Sequence, residues 1–172
     1  TTGINNSFLG YQSGFLNDRG NHNTFSGFSA GFNNLDGNKN SYYGSNSGND
    51  IYSGNNNTFT GASSGTVFVV SNDNVAIGES SGGNFAKGDR NSFVGAQSGM
   101  SGLNQGDDNI FLGFQSAIGG TTSTPISDAD RNIIIGNSAH GYSITGSMTN
   151  SVSIGFSNRV SCDNCVALAS QV

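Results

Sequence analysis

The sequence is built on a 17-residue repeat, which constrains the fold more than any other feature. A block of the form Asn-(Ser/Thr)-aromatic-x-Gly recurs in register, and its last glycine marks each copy. In the first six copies these glycines are Gly10, Gly27, Gly44, Gly61, Gly78 and Gly95, and later blocks end at Gly113, Gly136 and Gly155 with unequal steps. A fixed internal period is the signature of a protein in which short units stack along one axis.

The length of the repeat favours a parallel β-solenoid. Helical repeats need about 33 residues or more per unit, whereas one coil of two short strands and two turns fits the shorter period. The blocks are rich in strand-forming residues, the glycines supply positive φ at turns, and stacked asparagines can satisfy one another's amides in ladders. We therefore predict an all-β chain that forms a parallel β-solenoid, or β-roll, of about ten coils.

The regularity of the repeat divides the chain into two segments. Residues 1–103 carry regular 17-residue repeats, and residues 104–172 carry irregular ones with an insertion near 119–130. The insertion contains Pro125, the only proline. Loops that interrupt a repeat array lie on one face and often bind partners.

Composition excludes several other classes. The 172 residues include 27 glycines, but only 33% are hydrophobic and 10% are charged. Collagen would need glycine at every third position with abundant proline, and a helical bundle would need more Ala, Leu, Glu and Lys. The net charge is −5 and the basic residues are scattered, so we expect no nucleic-acid partner. No run of about 20 apolar residues is present, so we expect no membrane insertion by this segment.

The block centres predict a thin hydrophobic core. The expected core residues are Phe8, Phe25, Tyr42, Phe59, Ile77, Phe93, Phe111, Ile134 and Ile154. Some blocks are apolar at consecutive positions, as in Ile110–Leu112 and Ile133–Ile135, and neighbouring strand residues point to opposite faces. Both faces of these strands should then be buried, which favours an intertwined or side-by-side homotrimer over a single-chain solenoid.

Several blocks resemble repeats of known fibrous proteins. Asn150–Gly155, Asn164–Ala169 and Asn74–Gly78 resemble the Ser-Val-Ala-Ile-Gly repeats of trimeric autotransporter adhesin heads. The Asn-Thr-Phe-x-Gly blocks resemble repeats of bacterial surface proteins and of phage tail-fibre-like proteins. The resemblance implies a trimeric left-handed parallel β-roll without enzymatic activity, located outside the cell or on a virion. It further implies an adhesive head or fibre segment that serves as a rigid spacer and binds a receptor or cell-surface glycan.

Candidate chemistry is sparse in the sequence. Cys162 and Cys165 form a C-x-x-C motif, for which we expect a local or inter-chain disulfide or two free thiols. Asp107-Asp108-Asn109 and Asp128–Asp130 are local acidic spots, which we interpret as solvated turns because the nonapeptide pattern of calcium β-rolls is lacking. His22 and His140 have no evident catalytic partner. We expect no enzymatic activity and no catalytic residue, cofactor or metal site.

Two further surface features leave alternatives open. Ser7, Thr24, Ser41, Thr58, Val75 and Ser92 form a mixed rank, which is a weak candidate for ice binding and otherwise a polar outer strand face. The aromatic residues Tyr11, Phe28, Phe114, Phe15 and Phe32 follow repeat glycines and could contact glycans or, as we favour, pack inside an oligomer. A self-assembling filament is the main alternative to a discrete fibre segment, because solenoid ends without polar caps can stack.

Overall fold

The chain winds as a parallel β-solenoid of about eight turns, with about 17 residues between equivalent positions. The computed structural model describes residues 2–66, 70–83, 87–100, 106–117, 128–141 and 147–168. Within these ranges every regular element is a β-strand, and no helix is present. The predictions of an all-β chain and of a parallel solenoid are confirmed.

Ten of the strands form one continuous parallel sheet. They are β1 (Ser7–Leu9), β2 (Thr24–Ser26), β3 (Ser41–Tyr43), β4 (Thr58–Thr60), β5 (Val75–Ile77), β6 (Ser92–Val94), β7 (Ile110–Leu112), β9 (Ile133–Ile135), β12 (Val152–Ile154) and β14 (Val166–Leu168), paired in that order. The sheet runs through both the regular and the irregular segment of the sequence.

Four further strands form two short parallel pairs in the later coils. They are β8 (Asp128–Asp130) with β11 (Ser147–Thr149), and β10 (His140–Gly141) with β13 (Arg159–Val160). In the earlier coils the prediction of two strands per coil was wrong, since Val70 and Lys87 form only an isolated bridge among the described residues. Turns fill the rest of each early coil because several positions require positive φ, which interrupts extended backbone.

The sheet keeps its register although the repeat length changes. Stacked asparagines of successive coils are 17 residues apart up to Asn91, then 18 at Asn109 and 23 at Asn132. The strands on either side of the longest interval still pair residue for residue, Ile110–Leu112 with Ile133–Ile135. Most of the insertion expected near 119–130, including Pro125, lies outside the described residues, and its last three residues form β8.

The middle residue of each strand points into the coil and forms the core. Phe25, Tyr42, Phe59, Phe93, Phe111 and Ile134 are fully or almost fully buried, as expected. The aromatic rings stack from coil to coil, with centroids 4.7 Å apart for Phe25 and Tyr42 and 5.1 Å for Tyr42 and Phe59. These distances match the spacing of about 4.8 Å between neighbouring strands, so each aromatic ring fills the layer of its own coil.

Two of the expected core residues lie on the outside instead. Ile77 and Ile154 are 43% and 39% exposed. The register pairs Ala76 with the buried Phe59 and Phe93, so Ala76 occupies the core and the next residue points outward. Ser153 takes the equivalent buried place beside Ile154. Choosing the bulkiest residue of a block was therefore wrong, because strand alternation fixes the inward position whatever its size.

Phe8 is only partly covered because it lies in the first strand. Its ring stacks on Phe25 at 4.9 Å, and 38% of the residue stays exposed. A core residue in a stacked array needs a neighbour on each side, and β1 pairs with β2 alone.

Two glycines in each regular coil are required because neighbouring atoms leave no room for a Cβ. At Gly44, where φ is 135°, a Cβ would lie 2.5 Å from the Gly61 carbonyl oxygen of the next coil. At Gly48, where φ is 59°, a Cβ would lie 2.6 Å from the Tyr42 ring. The first glycine lets successive backbones meet, and the second leaves room for the aromatic core.

Two non-glycine positions per coil also adopt positive φ. One set precedes the buried asparagine, as at Asn56 and Asp73, and the other follows the first glycine by two residues, as at Ser29 and Asn46. The backbone N–H groups of Ser29 and Asn46 donate to Tyr11 and Phe28 of the preceding coil. These inter-coil bonds hold a conformation that L-residues otherwise disfavour by about 1–2 kcal/mol each.

A buried asparagine ladder joins the coils. Each member accepts, on its side-chain Oδ1, the backbone N–H of the asparagine one coil later, as Asn40 does from Asn57 at 2.9 Å. Its Nδ2 donates across the coil, as Asn57 does to the Ser71 carbonyl at 2.9 Å. The ladder, predicted from the repeat, runs over Asn6, Asn23, Asn40, Asn57, Asn74, Asn91, Asn109 and Asn132.

Candidate functional site

The outer face of the ten-stranded sheet is a regular surface that extends from β1 to β14. Because strand residues alternate, the first and third residue of each strand point away from the core in two parallel columns. In β1 to β4 these columns carry mainly hydroxyl groups: Ser7, Thr24, Ser41 and Thr58 in one, and Leu9, Ser26, Tyr43 and Thr60 in the other. This part of the face is suited to contact with water.

From β5 onward the same face becomes aliphatic. We call this surface the aliphatic face, and it consists of Val75, Ile77, Val94, Ile110, Leu112, Ile133, Ile135, Val152, Ile154, Val166 and Leu168. Ser92 is the one polar residue in its two columns, and no charged residue lies in them. At six strands, the face is about 25–30 Å long and roughly 10 Å wide. Its area of about 300 Å² is at the lower end of the range for the largest apolar patch of a typical monomer, and such patches are often functional.

The polar rank considered for ice binding is one of these outer columns. It consists of hydroxyl residues at β1 to β4 and β6, and Val75 interrupts it at β5. The column continues as Ile110, Ile133 and Val152, so its hydroxyl array ends where the aliphatic face is established.

Exposed aromatic residues stack beside the sheet in the first two coils. Tyr11 and Phe28 are 70% and 52% exposed, with ring centroids 5.7 Å apart and planes 17° from parallel. Phe15 and Phe32 stack in the same way at 5.2 Å. Stacked rings cover each other's faces and present mainly edges to solvent, whereas a sugar ring binds to an aromatic face. The arrangement therefore offers few faces to a glycan.

A second, more exposed ladder runs along a turn and changes from asparagine to aspartate. Asn38 accepts the backbone N–H of Asn21 at 2.9 Å, and Asn55 accepts that of Asn38 at 2.9 Å. Further along, carboxylates do the same: Asp107 accepts the N–H of Asp89, and Asp130 accepts that of Asp107, both at 2.9 Å. Asp107 and Asp130, one from each acidic spot, thus accept backbone N–H groups of neighbouring coils. The interpretation of Asp128–Asp130 as a turn was wrong, since these residues form β8.

These carboxylates border an open groove of about 360 Å³. Its other walls come from Val70, Asn72 and Lys87. Among the described residues, no group of three or more His, Cys, Asp or Glu side chains is placed to hold a metal ion. The groove combines polar groups already engaged in the ladder with an exposed lysine.

Charged pairs link neighbouring coils at the edge of the rod. The Arg90 guanidinium donates to Asp108 at 2.6 Å, and the Arg19 guanidinium donates to Asp36 at 2.8 Å. The hydrogen bond from Arg90 lowers the pKa of the Asp108 carboxyl below its usual value. The Asp36 carboxylate raises the pKa of Arg19, and Asp108 raises that of Arg90, in each case chiefly through the hydrogen bond.

Tyr42 occupies the core position that is phenylalanine in the neighbouring coils, at Phe25 and Phe59. Burial raises the pKa of the Tyr42 phenol well above its usual value, and the neighbouring Asn57 amide offsets this only in part. Among the described residues the phenol oxygen has no partner at hydrogen-bond geometry. Its place between two stacked rings makes it a core residue.

Cys162 and Cys165 form a disulfide with each other. The sequence left open a local disulfide, an inter-chain disulfide or two free thiols, and the structure has the local disulfide. The bond closes a turn directly before β14, and the Cys165 carbonyl accepts the N–H of Val152 from the neighbouring strand.

The other residues singled out in the sequence remain apart. The repeat glycines form an inter-coil column at one end of the strands, as Gly44 and Gly61 do. His22 lies in an exposed turn of an early coil, and His140 is the first residue of β10. No helix of the described chain is long and apolar enough to cross a membrane.

Sequence reasoning missed the continuity of the aliphatic face. It recognised two blocks that are apolar on both sides, but it assigned the outward Ile77 and Ile154 to the core. The signal lay in the outer positions of successive blocks, which change together from Ser and Thr to Val, Ile and Leu after the fourth strand.

Comparison with protein-family models, with curated proteins and with solved structures finds no match for this chain.

Proposed function

We propose that this chain is a segment of a non-enzymatic surface fibre, which acts as a rigid spacer and as a binding module for a receptor or cell surface. The observation that carries the proposal is the continuous aliphatic face along a rod whose coils are joined by hydrogen bonds. A face of that kind suits assembly, and the ladders between coils suit a load-bearing spacer. A bacterial adhesin head and a viral or phage tail fibre are the two settings that fit.

In this proposal the fibre is a homotrimer, in which each chain contributes about ten coils. The ten strands that pair in one sheet, including those of the irregular segment, support this number of coils. Trimerisation would remove the aliphatic face from water, which favours association because burial of apolar surface contributes about 25 cal/mol per Å².

The proposed location is extracellular, on a cell or virion. The Cys162–Cys165 disulfide supports this location, since such bonds persist in oxidising compartments. The low content of charge and the inter-coil hydrogen bonds would help the rod resist proteases there.

Native mass and cell binding test the proposal. We expect the full chain to have the mass of three copies at micromolar concentration, and fluorescently labelled trimer to bind bacterial or host cells in a saturable manner. A monodisperse monomer would contradict the fibre assembly. A trimer that binds neither cells nor an array of glycans would limit the function to that of a spacer.

A self-assembling filament is the second candidate. Solenoid coils whose end strands carry no polar cap can stack end to end. Electron microscopy distinguishes the two candidates, because fibre segments should appear as discrete rods of uniform length and a filament should lengthen with protein concentration.

A further inference from the structure

We infer that Asn5 and Asn56 are acceptor sites for N-linked glycosylation, so that the rod carries sugars along one edge of its hydroxyl-bearing part. The inference goes beyond the proposed function and rests only on the extracellular location proposed with it, since sugars of this kind belong to secreted proteins.

Both residues belong to an exposed column of turn residues. In each coil, the residue directly before the inward-pointing ladder position is exposed and adopts a positive φ, between 52° and 61°. We call these residues the corner column, which consists of Asn5, His22, Lys39, Asn56, Asp73, Arg90, Asp108, Arg131, Asn150 and Asn164. Asn5 and Asn56 are three coils apart, or about 14 Å along the rod, which leaves room for a separate sugar chain on each.

The acceptor sequence of N-linked glycosylation starts in this column alone. Such sugars are attached to an asparagine two residues before a serine or threonine, with any residue except proline between them. Of the 25 asparagines in the sequence, only Asn5 and Asn56 meet this condition. Asn150 and Asn164 lie in the same column but have valine two residues later. The corner column thus supplies two acceptors and two matched non-acceptors.

Strand alternation places both essential groups of each acceptor on the outside. Asn57 points into the coil and is fully buried, whereas Asn56 before it and Thr58 after it are exposed. Asn5 and Ser7 are both exposed at the equivalent points of the first coil. The asparagine amide and the hydroxyl of each acceptor are therefore accessible to a glycosyltransferase in the folded chain.

The Asn56 amide can accept a sugar and still donate a hydrogen bond. Its Nδ2 carries two hydrogens and donates to Asp73 Oδ1 at 2.9 Å on the surface. In the transfer, Nδ2 attacks the anomeric carbon of a sugar that is activated as a nucleotide or lipid pyrophosphate ester. The new C–N bond replaces the bond from that carbon to the phosphate oxygen, which leaves with its electron pair. One amide proton passes to a base of the transferase, and the other stays available for Asp73.

The outer face of the sheet limits the acceptors to the early coils. The hydroxyl that an acceptor needs belongs to the outer column that starts at Ser7, and from β5 onward this column is aliphatic apart from Ser92. Asn150, for example, precedes Val152 of the aliphatic face. Sugars therefore line the edge beside the hydroxyl-bearing part of the sheet and leave the aliphatic face free.

Mass spectrometry of the full chain from its own source tests the inference. We expect peptides with Asn5 and Asn56 to carry sugar on the asparagine, and those with Asn150 and Asn164 to carry none. A single hexose would identify a nucleotide-activated donor, and a preassembled oligosaccharide would identify a lipid-linked one. Unmodified Asn5 and Asn56, or sugar on the hydroxyl of Thr58 instead, would overturn the inference.

A matched pair of variants at Thr58 tests the need for the hydroxyl. Thr58→Val places in β4 the residue that β5 has at the paired position, Val75, so the strand should form unchanged. It should abolish the sugar on Asn56, whereas Thr58→Ser should keep it, and circular dichroism checks that both retain the β spectrum. Asn56→Gln keeps an amide at the surface and should lose the same sugar. A folded Thr58→Val chain with sugar on Asn56, or a Thr58→Ser chain without it, would contradict the assignment.

Failure of this inference is distinguishable from failure of the proposed function. A chain without sugar that is trimeric and binds cells would overturn the glycosylation and keep the fibre. A glycosylated chain that is a monodisperse monomer would overturn the fibre assembly and keep the glycosylation.

Discussion

At the scale of single residues, the fold depends on buried asparagine amides that are paired on both sides. The asparagine that opens each block supplies both an acceptor to the next coil and a donor across its own coil, as Asn57 shows. Buried amides of this kind stabilise a fold only while each partner is present, because an unpaired buried group costs about 1–3 kcal/mol.

Asn57→Ala should therefore destabilise the protein strongly. It leaves the Ser71 carbonyl and the Asn74 N–H without their side-chain partners inside the coil, at an expected cost of about 3 kcal/mol. Asn55→Ala is the control, since Asn55 belongs to the half-exposed ladder, where water can replace the amide at a cost of less than about 1 kcal/mol. Urea denaturation measures both, and equal losses would contradict the role of burial.

The Arg90–Asp108 pair should give stability a small acid dependence. The pKa of Asp108 is lowered in the folded chain, so the pair stabilises the fold above the unfolded carboxyl pKa of about 3.9 and loses this effect as the pH falls through the lower folded-state pKa. Asp108→Asn should thus lower the melting temperature slightly at pH 7 and have no effect at the acid limit.

Arg90→Gln is the second arm of this pH experiment. It should remove most of the pH-dependent part that Asp108→Asn removes, because the hydrogen bond from Arg90 is the main cause of the lowered Asp108 pKa and Arg131 adds a smaller contribution. The double variant should remove no more than Asp108→Asn. Melting temperatures between pH 7 and pH 2.5 measure the effect. A loss from Asp108→Asn that is independent of pH would assign the stabilisation to another cause.

At the scale of the elements, each strand is only three residues long and depends on its neighbours. Strand β2 is held by in-register pairing to β1 and β3, and its central Phe25 stacks between Phe8 and Tyr42. The aromatic stack is therefore the main hydrophobic link between coils in the first part of the rod. The outward aromatic pair of Tyr11 and Phe28 makes a similar contact on the exposed side.

Phe25→Ala and Phe28→Ala should separate these two kinds of stack. Removing the buried Phe25 ring loses both of its ring contacts and leaves a cavity, at an expected cost of about 3–5 kcal/mol. Removing the half-exposed Phe28 ring should cost about 1 kcal/mol or less. Thermal unfolding measures both variants. A larger loss from Phe28→Ala would mean that the outer aromatic residues are buried in an assembly.

At the scale of the whole molecule, the solenoid is a linear array in which each coil contacts mainly the coils beside it. Stability is then a sum of coil and interface contributions, and local damage need not spread along the rod. The Cys162–Cys165 disulfide acts at one end of this array, where it closes the turn before β14.

Replacing both cysteines by serine should loosen the last described coil alone. The chain-entropy estimate for so short a loop is about 2 kcal/mol, which corresponds to roughly 30-fold faster amide exchange in β14. Hydrogen exchange should show this increase at Val166–Leu168, with no change at Ser41–Tyr43 in β3. An equal increase in both strands would show that the array unfolds as one unit.

Much of the fold follows from the sequence because the repeat places the same residue types at the same points of each coil. The period, the glycine turns, the asparagine ladder and most of the aromatic core were predictable from Asn-x-Phe-x-Gly blocks such as that of Phe25. The number of strands per coil was not predictable. It depends on the positive φ at positions such as Asn56 and Ser29, which backbone hydrogen bonds to the preceding coil stabilise.

The sequence by itself determined a parallel β-solenoid, since a short period with fixed glycines leaves few other ways to stack. Only the tertiary structure decided which side chain faces inward in blocks without an aromatic centre, such as those of Ile77 and Ile154. Alternation and register put Ala76 and Ser153 inside and Ile77 and Ile154 outside, against the order of their hydrophobicity. Because pairing of successive strands aligns the outward positions, residues 14–23 positions apart in the chain become one continuous aliphatic face, a property of the stacked coils and not of any single repeat.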